Sequence, residues 1–191
     1  MKKSAQLEFP INHLCEKRWS PRAFAEKAID KDKLQSIFEA ARWSASAYNA
    51  QPWRFMVGFK GDEVFAKILD TLVEFNQLWA GKAPVLILNC YQINFSHNNK
   101  PNAVAKYDLG QAVANYSLEA MNQSLYVHQM TGFDAVKANN SFGLGLEITA
   151  FSVSALGYLG NINLLPDNLQ KLENSERNRL KQSDFLMNNF K

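Results

Sequence analysis

Apolar residues recur at helical spacing soon after the N-terminus. Leu34, Ile37, Phe38 and Ala41 fall at i, i+3, i+4 and i+7. That period predicts an amphipathic helix from Asp30 or Asp32 to about Trp43, with an Asp to cap its free N–H groups. Pro52 blocks helix, and Arg54–Lys60 reads as a strand. A second helix is expected over about 62–77, with Phe65, Ile68, Leu69 and Leu72 as its stripe. Pro84 introduces Val85–Tyr91, a short apolar run that suits a buried central strand. Residues 92–102 form a polar loop. Ala103 to about Val127 reads as the longest helix, its period carried by Leu109, Val113, Tyr116 and Ala120. Ala112, Ala114 and Ala120 make much of it small-faced, as in a core helix or a dimer seam. Gly132–Asp134 is a turn with Asp134 capping a helix over 135–139, Ile148–Leu156 is a strand, and the tail from Pro166 is polar. Strands alternating with helices at uneven spacing predict an α+β fold with a mixed central sheet flanked by helices. No repeat or linker divides the chain, so one domain over 1–191 is expected.

Composition narrows the function classes. The chain has 191 residues, a formal net charge of +3, and no Lys/Arg-rich run interleaved with aromatics. That argues against nucleic acid, while small basic groups suit a single phosphate. Cys15 and Cys90 lack CxxC spacing and read as two buried free thiols in a reducing compartment. The basic N-terminus has no apolar h-region, and the apolar run Val85–Leu88 stops at Asn89. The expectation is a cytoplasmic protein without membrane contact. There is no GxGxxG after a strand, no GxxxxGK[ST] and no GxSxG elbow. His13, His97 and His128 are scattered without metal-ligand spacing, so no metal site is expected.

Five segments carry candidate chemistry. In Arg18-Trp19-Ser20-Pro21-Arg22, alternate side chains of an extended chain point the same way. Arg18, Ser20 and Arg22 thus line one face of a ligand or of a solvated loop, and guanidinium forks suit phosphate. Ser46-Ala47-Tyr48-Asn49-Ala50-Gln51-Pro52-Trp53 sets polar side chains before a strand, which Trp53 is placed to anchor in the core. Asn76 is either an amide for a mixed donor–acceptor edge or a helix C-cap. In His128–Asp134, Gly132 permits close backbone approach, and Met130 is a ring-packing residue or a core filler. Arg177-Asn178-Arg179 is a phosphate contact or a solvated pair.

Taken in order, these five segments resemble the flavin-dependent nitroreductase family. The likeness touches residues of about 14–60, 75–91, 107–134 and 157–180. Ala45 stands where the family's second motif often has proline, and Thr131 where a subgroup often has alanine. The resemblance implies a nitroreductase-like α+β fold, an interlocked homodimer with two FMN sites at its interface, and no catalytic side chain. It implies that Arg18 grips the FMN phosphate, within a contact segment that includes Trp19 and Ser20. Arg22 then lies near N1 and O2, where a fixed cation favours reduction. Ser46 and Asn49 reach the flavin across the dimer, and Asn76 bonds its pyrimidine edge. The N–H groups of Thr131 and Gly132 face N5 and O4, and Arg177 and Arg179 reach the phosphate. The implied reaction is a ping-pong transfer from NAD(P)H to a small-molecule acceptor: a nitroaromatic, a quinone or an activated alkene. Alternatives are other flavin chemistry on the same fold, such as dehalogenation or ene-type reduction, or a non-catalytic flavin-binding sensor.

Overall fold

Side chains of Val85–Cys90 alternate between two apolar clusters, which sets the layering of the whole molecule. Val85 and Ile87 pack among Leu34, Ile37, Leu109, Val113 and Tyr116 on one face of the sheet. Leu86, Leu88 and Cys90 pack among Phe65, Ile68, Trp79, Ala138 and Leu169 on the other. A strand buried on both faces reads as an unbroken apolar run for this reason. The computed structural model describes residue 3 and residues 5–188.

Among the described residues the helices are α1 (His13–Lys17), α2 (Lys31–Arg42), α3 (Glu63–Thr71), α4 (Glu74–Ala80), α5 (Ala105–Asn122), α6 (Ala135–Phe142), α7 (Asp167–Asn174) and α8 (Gln182–Phe185). The strands are β1 (Trp53–Phe59), β2 (Val85–Gln92), β3 (Tyr126–Met130) and β4 (Ile148–Gly157), in spatial order β1-β2-β4-β3. The α+β class holds, but every pairing is antiparallel, so the sheet is not mixed. Between the layers, Tyr116 donates its hydroxyl to Asn89 Oδ1 at 3.0 Å, and Asn89 Nδ2 donates to Ser152 and Ser154. Burial raises the Tyr116 hydroxyl well above the ordinary phenol value, partly opposed by its bonds to Ser154 and Asn89.

Three sequence expectations need correction. The helix expected over 62–77 is two helices, parted where Leu72 bridges Phe133 and Val73 donates its N–H to Gly132. Tertiary pairing there overrides an unbroken helical period. The helix expected to reach Val127 ends at Asn122, because Ser124 turns left-handed at φ 60° and releases the chain into β3. Cys15 is exposed and only Cys90 is buried, where the apolar surroundings push its thiol up to about 12. As expected, Asp134 caps α6 by accepting the Lys137 N–H; Asp62 likewise caps α3 through Phe65 N, a cap not among the sequence expectations. Asp30 occupies the α2 N-cap without a side-chain bond.

Candidate functional site

The segment after α1 is fixed from several directions, so its side chains are presented in a set order. Arg177 donates from Nη1 to Glu16 O at 2.6 Å and to Lys3 O at 3.1 Å, and from Nη2 to Arg18 O at 2.8 Å. His128 Nδ1 lies 2.9 Å from Pro21 O; a carbonyl only accepts, so the ring N–H donates. Burial and, to a smaller degree, the Arg22 charge hold this imidazole down at about 4, so it is neutral near pH 7. Glu173 Oε1 accepts the N–H groups of Arg22 and Ala23, and Gly160 donates its N–H to Ala23 O.

This brings three expected cations together. Arg18, Arg177 and Arg179 line one cavity of about 220 Å3, with Ala5, Gln6, Leu7, Ile11 and Cys15 completing its wall. No acidic side chain of the described residues lines it. The Arg18 guanidinium is lowered by burial and then by Arg179; that of Arg177 is lowered by burial, Arg179 and Arg18, with Glu16 opposing. Guanidinium charges gathered around one cavity in this way fit an anionic ligand. Ser20 Oγ lies beside Arg18 Nη1 at 3.5 Å. The Trp19 ring is buried, edge-on to Tyr126 and under Lys3 Nζ, so this residue offers a ligand backbone rather than indole.

A second group forms at the break between α3 and α4. Asn76 lies in the first half of α4, not at a helix C-cap, and donates Nδ2 to Gly132 O at 3.0 Å. A Cβ on Gly132 would stand 2.7 Å from Asn76 Nδ2 and 3.2 Å from Val73 Cγ2, so any side chain there must push the Asn76 amide aside. Among the described residues the N–H groups of Thr131 and Gly132 donate to no other group. The two groups are joined through His128: its ring packs on Trp79 of α4 at 4.4 Å between centroids and bonds Pro21 of the arginine segment.

Ser46 and Asn49 lie elsewhere, with no hydrogen bond to either group among the described residues. Their loop is held from α5, where Asp108 Oδ2 accepts the Ala47 N–H and Asn115 Nδ2 donates to Ser44 Oγ. Ser46 Oγ accepts the Gln51 N–H. Tyr48, Asn49 and Gln51 all have positive φ, at 53°, 52° and 47°. Three left-handed side-chain-bearing residues in four positions are costly and persist at sites with a use for the shape. Sequence reasoning missed Glu173 and Asp108; each is a lone carboxylate whose backbone partners are 151 and 61 residues away.

The fold and these groups define an α+β protein with one arginine-lined cavity and a separate contact between Asn76 and Gly132. The chain belongs to the nitroreductase family. The family's model matches residues 15–77. An uncharacterized 15.4 kDa protein of Mycolicibacterium smegmatis is 31% identical over 135 residues, 66% of this chain and 89% of the relative. A putative NADH dehydrogenase/NAD(P)H nitroreductase of Stenotrophomonas maltophilia is 29% identical over 162 residues, covering 75% of this chain and 82% of its own. Among solved structures, an oxidoreductase containing FMN is 32% identical at a TM-score of 0.85, covering 92% of this chain and 90% of that one. A putative nitroreductase of Desulfovibrio desulfuricans in complex with FMN shares the fold at a TM-score of 0.77 and 20% identity, over 96% of this chain and 98% of its own.

Proposed function

We propose that this chain is an FMN-dependent oxidoreductase that uses NAD(P)H to reduce nitroaromatics, quinones or related acceptors, as one domain acting in a homodimer. The observation that carries this reading is the cavity where Arg18 meets Arg177 and Arg179 across about 160 residues of sequence. Support also comes from the relatives named for NAD(P)H nitroreductase activity and the FMN-containing neighbour at 32% identity.

The residues present fit FMN. The Arg18 and Arg179 guanidiniums suit its phosphate, with Arg177 bracing the Arg18 backbone. Two free N–H groups at Thr131–Gly132 and the open Oδ1 of Asn76 suit a ring edge that both accepts and donates. The buried Arg22 Nε has no acceptor among the described residues. Held by these residues, FMN would supply two-electron redox chemistry between NAD(P)H and an acceptor.

The chain's own part is binding, orientation and charge. Arg18 and Arg179 hold the phosphate, while Arg177 secures the backbone that carries Arg18. Arg22 sets a positive charge at the pyrimidine edge. The N–H groups of Thr131 and Gly132 fix the opposite edge without needing a side chain, and no side chain is assigned a proton to transfer. The Ser46–Asn49 loop, remote from these groups within one chain, serves the site of a second copy. The exposed small-residue face of α5, with Gly110 and Ala114, is the seam that brings the copies together.

The test is an absorbance spectrum of purified protein incubated with FMN, before and after anaerobic addition of NADH or NADPH. Retained flavin bands that bleach are the expected result; protein that retains no flavin defeats the reading.

A further inference from the structure

Glu173 of α7 is among the most buried carboxylates of the molecule, 1% exposed. Its Oε1 accepts two backbone N–H groups, from Arg22 at 2.8 Å and Ala23 at 3.1 Å. Its Oε2 is equally buried and accepts no hydrogen bond among the described residues. The Arg22 Nη1 stands 3.9 Å from it, beyond hydrogen-bond reach, so the attraction between the two groups is Coulombic. Arg22 Nε is buried and lacks an acceptor. Lys3, the other cation facing this carboxylate, is lowered by burial and by Arg22 and Arg177, with Glu173 opposing.

This arrangement is more than a turn clamp. A glutamine would accept the same two N–H groups without placing a charge in the interior, where a charge is expensive. The charge therefore needs a use of its own. Its nearest use is electrical, because it opposes the Arg22 guanidinium while leaving that guanidinium's Nε open for another acceptor.

We propose that Glu173 is a positioning residue of the flavin site, holding Arg22 by its backbone and limiting the net positive charge that Arg22 presents to the bound ring. The inference rests on the FMN reading above. Reduced flavin carries more negative charge at its pyrimidine edge than oxidised flavin does. Removing the opposing carboxylate therefore favours the reduced form, and its presence keeps the bound cofactor a better reductant toward acceptors.

The experiment compares the wild type with Glu173→Gln and Glu173→Asp. Dissociation constants for oxidised and anaerobically reduced FMN are measured for each, with the melting temperature of the apoprotein as a control on folding. For E173Q the preference for reduced over oxidised FMN is expected to rise about tenfold, by one charge acting across a poorly screened site. In a two-electron couple that is about 30 mV upward in midpoint potential. E173D keeps the charge with a shorter reach, so its preference stays near that of the wild type even where both affinities weaken. A merely structural role would weaken both redox states together and leave the ratio unmoved. E173Q that binds FMN with the wild-type ratio overturns the inference and leaves the FMN reading standing. Wild-type protein that binds no FMN overturns both. If E173Q does not fold, Arg22→Gln carries the test, since the Glu173 charge then stands without the guanidinium that it opposes. The ratio is expected to fall tenfold or more, and an R22Q ratio equal to the wild type overturns the inference.

Discussion

Asn76 donates its side-chain Nδ2 to the carbonyl of Gly132 at 3.0 Å, and the same glycine has no room for a Cβ beside that amide. The pair ties α4 to the turn after β3, next to the Thr131 and Gly132 N–H groups, which donate to no group among the described residues. Gly132→Ala is expected to displace the Asn76 amide, which is the far end of a flexible side chain. The loss of stability should therefore be modest, about 1 kcal/mol for one hydrogen bond. FMN affinity should fall about tenfold, the equivalent of one such bond. Thermal unfolding and a fluorescence titration of FMN separate the two effects; equal affinity for wild type and variant would remove this pair from the site.

The tail arginines differ in what they touch. Arg177 bonds three main-chain carbonyls, whereas Arg179 is exposed and, among the described residues, bonds only Asn178 O. Arg177→Ala should cost about 2 kcal/mol of stability, because three carbonyls lose a charged donor. Arg179→Ala should leave the melting temperature unchanged and weaken FMN about tenfold through the lost phosphate contact. Urea unfolding and FMN titration of both variants check this; a stability loss confined to R179A would reverse the assignment.

His128 makes stability depend on pH in a defined window. Its folded pKa is lowered to about 4 by burial, against an ordinary value of 6.5. Between those values the unfolded chain binds a proton that the folded chain does not, so stability rises with pH there. Acidifying from pH 6.5 to 4 should remove up to about 3 kcal/mol attributable to this ring. His128→Gln should flatten that part of the profile, read from urea midpoints at a series of pH values. An unchanged slope would mean that other groups set it.

Tyr116→Phe tests the polar core between the two apolar layers. The phenolic hydroxyl bonds Asn89 and Ser154 in a site with no water access, so its removal leaves Asn89 Oδ1 without that donor. A loss of about 1–3 kcal/mol is expected in chemical denaturation. A neutral result would show that the serines re-pair with Asn89.

Much of this was legible in the sequence because it is local. The stripe of Leu34, Ile37 and Ala41 determined α2 and its buried face, and the apolar run at Val85 determined a central strand. The Asp134 cap and the polar loop 92–102 followed from short-range chemistry of the same kind. Of the residues singled out as site candidates, Arg18, Arg177 and Arg179 meet at one cavity, and Asn76 meets Gly132.

What the sequence by itself could not determine depends on contacts between distant segments. A helical period ran unbroken through Leu72, yet pairing with Phe133 and Gly132 parted it into α3 and α4. The helix carried too far at Val127 yielded to a strand because β4 offered an edge to pair with. Strand direction, and hence an antiparallel rather than mixed sheet, is a property of neighbours. Only the tertiary structure placed Glu173 under Arg22 and Asp108 under Ala47, since a carboxylate's partner is chosen by the fold and leaves no periodicity in the chain.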